Sequence, residues 1–584
     1  MPASSPVFRI HPAIGVARVG DAPREHYFLG PEVPGVAWAP DRFKVGGRIR
    51  PQAARFRVWT YVREGGLVRP DREAIPGEDG VLAIRWRVHL ANRKAAFFAF
   101  SGLQGEKACY HGGRADLPPK GRRNDLSKAP GSWVIDPGPR VICGANAGPE
   151  AFTPRGGAGE RWPHRVDGSL VIDDLGELRT DEVGRLVVIG GRGASGSSAL
   201  RPRPIKSYAN NPTWFDDVAD GPVTAEVQVK IDGEVRWVPV EGADAAWVVV
   251  GPPDFAPDIT GAVTLYDVLC DLTARRLAIP RDEWVWQGPL GWLKALHDEL
   301  HGATTPILRR FRPDFARDVF PILERAANFR WVFRVGDQVH VRALGDPRLG
   351  DPGPDARPLR VAVFSRLRPP GGVGASNATM PMLLGDDPYK RVGDAEAPGR
   401  ERLTLTPTQY AILERWRDGE FERSGSTPTI NGPRRAAGRV TPHGLDQAAL
   451  EGCTGGAFYP GIEVGWQIRH HELYAAPFRI RHGGPSSYVG EEELVRAGHF
   501  TRQMAVPWQA DFLDCKREGR TGWWPSQRPD VAWIAGATAP VHWARVAEGG
   551  EIASKERMVA VWSKLGVIVR RGDEFHETER DPSL

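Results

Sequence analysis

Over the first 260 residues, apolar and polar positions alternate in short runs: RFRVWTYV (Arg55–Val62), IRWRVHLA (Ile84–Ala91), RLVVIGG (Arg185–Gly191) and AEVQVKI (Ala225–Ile231). Each run ends at Gly, Pro, Asn or Asp, and a period of two places one side-chain set on each face of an extended chain, so residues 1–260 predict a β-rich body. Further on the period lengthens. PLGWLKALHDELHG (Pro289–Gly302), DVFPILERAANF (Asp318–Phe329) and TPTQYAILERWRDGEF (Thr406–Phe421) carry apolar residues three and four apart, which predicts helices. Residues 261–343 therefore read as mainly helical. Residues 344–400 contain GDPRLGDPGPDARP and RPPGGVGASNATMP and read as long loops, because Pro removes a backbone donor and Gly multiplies the accessible conformations. Residues 401–584 read as a mixed α+β portion. The predicted fold is α+β and β-rich, with an N-terminal β body, a C-terminal mixed portion and no solenoid repeat.

Composition narrows the function classes. A chain of 584 residues with 41% hydrophobic and 26% charged positions is long enough for several cores and is not of the disordered class. Its 65 arginines and 12 lysines are interleaved with 72 acids, for a net charge of +5. That is a solvated surface pattern, which argues against a nucleic-acid partner. No run approaches the 18 apolar residues of a membrane span, and MPASSPVFRIHPAIGVARVGD has no cationic segment followed by an apolar core, so the expectation is a chain made in the cytoplasm without membrane insertion. The five cysteines (109, 143, 270, 453 and 515) are odd in number and lack CxxC spacing, which predicts neither a disulfide scaffold nor a structural metal site.

Two lookalike motifs fail on structural grounds. GRGASG (Gly191–Gly196) follows a strand and matches G-x-G-x-x-G, but a dinucleotide site needs a helix to open there. Prolines at 202, 204 and 212 forbid it, so the segment reads as a turn. In RHHELY, His470 and His471 are adjacent and diverge on any regular element, and HExxH is not satisfied. Neither a nucleophile elbow nor a Walker loop is present.

The stretch QADFLDCKREGRTGWWPSQRPD (Gln509–Asp530) is different. Asp511 and Cys515 stand four apart and share a face if the segment is helical, Asp514 adjoins the cysteine, and Trp508, Trp523, Trp524 and Trp533 crowd the region. Trp562 follows within an apolar run near the C-terminus. The plain alternatives are a small buried cysteine, an aspartate that caps a helix and a core indole in a strand.

Ten segments in order carry a resemblance that spans nearly the whole chain: IHPAIGVARVGD, VIDPGPRVI, LGELRTDEVGRLVVIGG, ANNPTWFDDVADGPVTAEV, WVVVGPPDFAP, LTPTQYAILERWRDGEF, GGAFYPGIE, QADFLDC, WWPSQRPD and VWSKLG. The sequence resembles the cysteine tryptophylquinone-dependent amino acid oxidases, the quinoproteins typified by L-lysine ε-oxidase and a related glycine oxidase. The resemblance implies a cofactor made from the chain itself, a thioether between Cys515 and the indole of Trp562, which also gains two oxygens. It implies oxidative deamination: the primary amine of an amino acid, or of an amino-acid-like or peptidyl compound, forms a Schiff base on the quinone. A proton then leaves the adjacent carbon, hydrolysis releases the carbonyl product, and dioxygen restores the quinone with release of ammonia and hydrogen peroxide. No ordinary side chain accepts two electrons from an amine, and a quinone supplies that chemistry.

By the same resemblance Asp511 is the catalytic base and takes part in forming the cofactor. Burial against indoles is expected to raise its pKa toward a useful range. Cys453, in GCTGGAFYPGIE, matches a pocket-lining cysteine, and Trp214 and Phe215 fall near a pocket aromatic. A lysine expected soon after the cofactor cysteine is missing between Lys516 and Lys555, and Arg528 is the nearest cation in that stretch, so the carboxylate-binding mode, and with it the substrate, stays open. If the chain-entropy model for disulfides transfers to a thioether, closing the interval from Cys515 to Trp562 restricts the unfolded chain by roughly 4 kcal/mol. The family further implies a separate flavoprotein that matures the precursor, frequent homo-oligomers and, in some members, export without an evident signal. Two other readings remain at this level: a quinone-dependent amine dehydrogenase with a protein acceptor, and a β-rich ligand-binding protein whose 20 tryptophans form a platform without any cofactor.

Overall fold

In this computed structural model the period-two runs of the N-terminal half all join one 13-stranded sheet. The structure describes residues 6–35, 42–99, 122–125, 133–165, 167–199, 201–303, 305–334, 342–370, 380, 383, 403–432, 438–455, 466–486, 493–514, 516–517, 521–522 and 526–584. The path across the sheet runs Glu150–Ala151, Gly176–Thr180, Leu186–Gly190, Gln52–Glu64, Ile14–Arg18, Ala246–Gly251, Ala219–Ile231, Val81–Val88 and Arg140–Cys143. Arg140 donates from Nε to the Ala151 carbonyl at 3.0 Å, which draws the two end strands together and nearly closes the sheet. Beside the central strand Ile14–Arg18 and parallel to it runs Ala246–Gly251, buried at every position and antiparallel to Ala219–Val223. A strand covered on both faces has to be an unbroken apolar run, and AWVVVG is one.

The three helices expected from sequence form as Gly291–Leu300, Phe320–Asn328 and Pro407–Arg417. Among the described residues four more went unread. Leu265–Arg275 is buried on all sides except at Asp267, so no apolar stripe marks it, although Thr264 and Asp267 close a capping box at its start. Pro442–Glu451 buries most of its positions, the polar Asp446 among them, and Lys555–Val561 is only 7 residues long. Arg357–Phe364 interrupts the 344–400 stretch read as loops, because Pro358 falls in the first helical turn, where no backbone donor is required.

Two features of the sheet aim the functional region. The strand Leu186–Gly190 ends at the GRGASG turn, which returns through Ser195–Ser197 to pair with Trp214–Asp216. The helix Trp508–Asp514 lies over that turn, and Asp220, wholly buried, fastens the preceding segment to the sheet by accepting the Thr501 amide at 2.8 Å and hydroxyl at 2.6 Å. Among the described residues no helix is long and apolar enough to cross a membrane.

Candidate functional site

Trp562 stands in a 3-10 turn, Trp562–Lys564, directly after the helix Lys555–Val561, and not in a strand. Ser554 caps that helix by accepting the Arg557 amide at 3.1 Å. Past the turn, Trp543 Nε1 and Lys44 Nζ donate to the Gly566 and Leu565 carbonyls at 2.7 Å each, which holds the segment in place. The Trp562 ring is 5% exposed and meets Trp508 edge to face, with centroids 5.3 Å apart at 70°.

Against the six-membered ring edge of the indole lies Gly193, with φ at +72°. A β-carbon there would sit 2.3 Å from Cζ2 and 2.8 Å from Cη2, so the six-membered ring occupies space that any side chain would take. The turn carrying Gly193 is held from two directions. Gln509, on the helix, donates from Nε2 to the Gly193 carbonyl at 2.9 Å and accepts the Ser195 hydroxyl at 2.7 Å. Asp217 accepts the Ala194 amide at 3.0 Å, and its own amide donates to the Ala194 carbonyl at 3.2 Å.

The helix Trp508–Asp514 is anchored at its start by Asp216, which accepts the Trp508 amide at 3.0 Å and the Lys94 ammonium at 2.6 Å. Asn92 completes the cluster with a 3.0 Å bond to the other carboxylate oxygen. Lys94 and Asp216 are both fully enclosed, and desolvation pulls the lysine below its ordinary pKa despite its partner. Asp511 lies inside this helix and is 5% exposed, so it is not a cap. Its neighbour Phe512 packs edge to face on Trp508 at 4.9 Å and on Phe255 at 6.0 Å.

The other predicted residues scatter around this helix. Cys515, one residue beyond its end, lies outside the described residues, as do Trp523, Trp524 and Cys109. Arg528, 3% exposed, donates to the Phe512 carbonyl at 2.5 Å and the Pro529 carbonyl at 2.9 Å and lies over Trp543, so it braces the helix. Trp214 is enclosed by Ile205, Val506 and Ala510 behind the helix. Phe215, pointing the opposite way along its strand, stacks on Trp133 at 6.0 Å. Cys453 is buried at the end of Pro442–Glu451, and Thr454 and Ser526 would each stand 3.7 Å from a β-carbon placed on Gly261, which links that region to the Ser526–Arg528 segment. Trp533 stands edge-on to Trp331. The rings of His470 and His471 stack in parallel at 5.6 Å.

Sequence reasoning missed Gly193, Gln509, Asp216 and Asp217. The available signals were the glycine-rich turn itself, correctly read as a turn but given no task, and the paired aspartates of NNPTWFDD.

Several buried polar atoms of this neighbourhood have no hydrogen-bond partner among the described residues: Trp508 Nε1, Asp217 Oδ1, Ser526 Oγ and Gln527 Oε1. A cavity of about 220 Å³ opens beside Gly452, lined by Asp258, Thr260, Glu324, Asn431 and Arg570 among others. A larger cavity, about 650 Å³, is elsewhere: it lies against Trp59 and Tyr61. Tyr61 is eight residues along its strand from Ala53, which pairs with Ile189 beside the glycine turn. At the rise of an extended chain that separation is on the order of 25 Å.

Known proteins share this arrangement of elements. Residues 11–250 match the family described as L-lysine epsilon oxidase N-terminal, and residues 381–537 match the L-lysine epsilon oxidase C-terminal domain. The chain is 28% identical over 571 aligned residues to an L-lysine 6-oxidase from Marinomonas mediterranea, covering 87% of this chain and 70% of that protein. Its fold matches the crystal structure of the L-Lys ε-oxidase of that organism with a TM-score of 0.75 at 23% identity, over 99% of this chain and 95% of that one. A structure of the Schiff base intermediate of that enzyme with L-Lys matches with a TM-score of 0.74 at 24% identity, over the same shares of the two chains.

Proposed function

The chain belongs to the L-lysine ε-oxidase family of quinoprotein amino acid oxidases, and on that premise we propose that it oxidises the primary amine of an amino acid through a cysteine tryptophylquinone built from Cys515 and Trp562. Carbonyl product, ammonia and hydrogen peroxide are the expected products. The observation that carries this reading is the placement of Trp562: a buried indole at the junction of two helices, one of which bears Asp511 and ends beside position 515, with its ring edge against a glycine.

The residues around Trp562 fit the group. Gly193 leaves the ring edge without a competing side chain, and Trp508 covers a further side of the indole. The helix end next to position 515 lies on the element that packs on Trp562 through Trp508. When present, the quinone supplies an electrophile that takes two electrons from an amine. The chain's own residues do the rest. Asp511 takes the proton of the incoming ammonium and then that of the adjacent carbon, and the aromatic wall of Trp508, Phe512 and Phe255 keeps bulk water from the reacting face. Arg528 and Gln509 hold the helix so that Asp511 keeps its position. Cys453 is proposed as a pocket residue on the side of the smaller cavity. A separate flavoprotein is proposed as the maturation partner.

The test is a tryptic map and intact mass of protein produced together with its flavoprotein. The mature chain gains two oxygens, loses four hydrogens, and yields the Cys515 and Trp562 peptides as one species. Separate peptides from such material refute the cofactor. A peroxide assay across free amino acids and peptidyl amines then assigns the substrate, and turnover without peroxide would place the chain among dehydrogenases.

A further inference from the structure

Asp217 has no part in the reaction just described, yet it touches the turn that faces Trp562. Its side chain is wholly enclosed, with Oδ2 bonded to the Ala194 amide at 3.0 Å and so near Gly191 that a β-carbon there would lie 2.4 Å away. The other oxygen, Oδ1, has no partner among the described residues.

The charges around it do not balance. Asp216 is matched by Lys94, and Asp174 by Arg24, with Arg192 of the turn 3.9 Å from Asp174 and largely exposed. Arg24 is shared further with Glu177. Both enclosed cations are therefore committed, and Asp217 is a surplus carboxyl in a dry site. Burial, followed by the neighbouring Asp216 and Asp174, pushes it up to about 7 against the pull of the Ala194 amide and of Arg24.

We propose that Asp217 is a positioning residue for Trp562: it clamps the Gly191–Ser195 turn, and gain or loss of its proton changes how firmly Gly193 is held against the indole edge. A carboxylate accepts the Ala194 N–H more strongly than a carboxylic acid does. The ionised form therefore grips the turn, and the protonated form relaxes it. The other grip, through Gln509, does not titrate and keeps the turn in place at either pH. The consequence for the reaction rests on Trp562 being the cofactor tryptophan, as proposed above.

Hydrogen exchange of the peptide covering residues 191–195, measured by mass spectrometry on the mature protein and corrected for intrinsic rates, reads the clamp without recourse to activity. In the natural chain protection should rise about fivefold from pH 5.5 to pH 8.5, the expected difference between a neutral and a charge-assisted hydrogen bond. In Asp217→Asn, which keeps an acceptor for the Ala194 amide, it should not change with pH, and the visible absorption of the cofactor should lose any shift over the same interval. Unchanged protection in the natural chain across that range overturns the proposal with no variant needed, as does an equal pH response in Asp217→Asn. The two readings fail separately: unlinked Cys515 and Trp562 peptides remove the cofactor, whereas the exchange of residues 191–195 still reports whether Asp217 titrates and holds the turn.

Discussion

Replacing Gly193 by alanine tests the geometry on which the site depends. At φ of +72° an L-residue pays about 1–2 kcal/mol of backbone strain. The added β-carbon also falls 2.3 Å from Trp562 Cζ2, closer than carbon atoms come, so the ring must retreat by about 1 Å from its packing on Trp508. Overpacking of that kind costs about 1–3 kcal/mol, for a total of roughly 2–5 kcal/mol. Gly233, in the hairpin turn between Ala219–Ile231 and Glu234–Val240, is the control: its φ is +87° and nothing lies within 4 Å of the point where a β-carbon would stand. Gly233→Ala carries the strain alone, and the smaller unfolded-state entropy of alanine enters both variants equally and cancels. Urea unfolding of the unprocessed chain, followed by far-ultraviolet circular dichroism at constant m-value, should place Gly193→Ala below Gly233→Ala by about 1–3 kcal/mol. Linked Cys515–Trp562 peptide should fall in the same variant, since the indole no longer sits where it is processed. Equal stabilities and equal linkage for the two variants would refute the claim that Gly193 makes room for the ring.

Asp511→Asn should leave the circular dichroism spectrum unchanged and lower kcat by about 10²- to 10⁴-fold, the usual contribution of a positioned base; undiminished turnover removes Asp511 from that role. Lys94→Met leaves the enclosed Asp216 without its ammonium and should cost about 3–5 kcal/mol in urea unfolding, with much of it recovered in the Lys94→Met/Asp216→Asn double variant; a loss below about 1 kcal/mol would show the pair to be dispensable. His499 is fully buried, and desolvation, with Arg496 and Arg93 nearby, brings its pKa down to about 3. The folded chain keeps it neutral while the unfolded chain protonates it below about 6.5, so its contribution is fully present above that pH and is lost as pH falls toward 3. Stability should therefore drop by up to about 1.4 kcal/mol per pH unit between pH 6 and pH 4, and His499→Phe should flatten this slope; an identical slope in the variant refutes the assignment.

Much of this protein was legible before any coordinates. The runs at Ile84–Ala91 and Ala225–Ile231 became strands because one face of each meets the core, and burial of one face imprints itself on sequence with period two; Arg55–Val62 is buried at most of its positions and Leu186–Gly190 at all of them, and the latter shows in sequence as the unbroken apolar run LVVIG. Helices with one wet face, such as Gly291–Leu300, were readable for the same reason. Leu265–Arg275 was not, since a helix buried all round has no polar stripe, and Arg357–Phe364 was hidden by the Gly- and Pro-rich text around it. Asp511, Cys515 and Trp562 were nominated by the resemblance, through the order of short segments along the chain, and their roles are proposals.

Only the tertiary structure could supply the rest, because the groups that surround Trp562 are distant in sequence. Gly193 and Trp562 belong to opposite halves of the chain, Gln509 reaches the Gly193 carbonyl across 316 positions, and Lys94 meets Asp216 across 122. Residue type and local spacing set the strands, the turn and the two helices. Which glycine meets which ring, and which buried carboxyl is left without a cation, depends on how those elements pack, since close contact and desolvation act through space and leave no period along the chain.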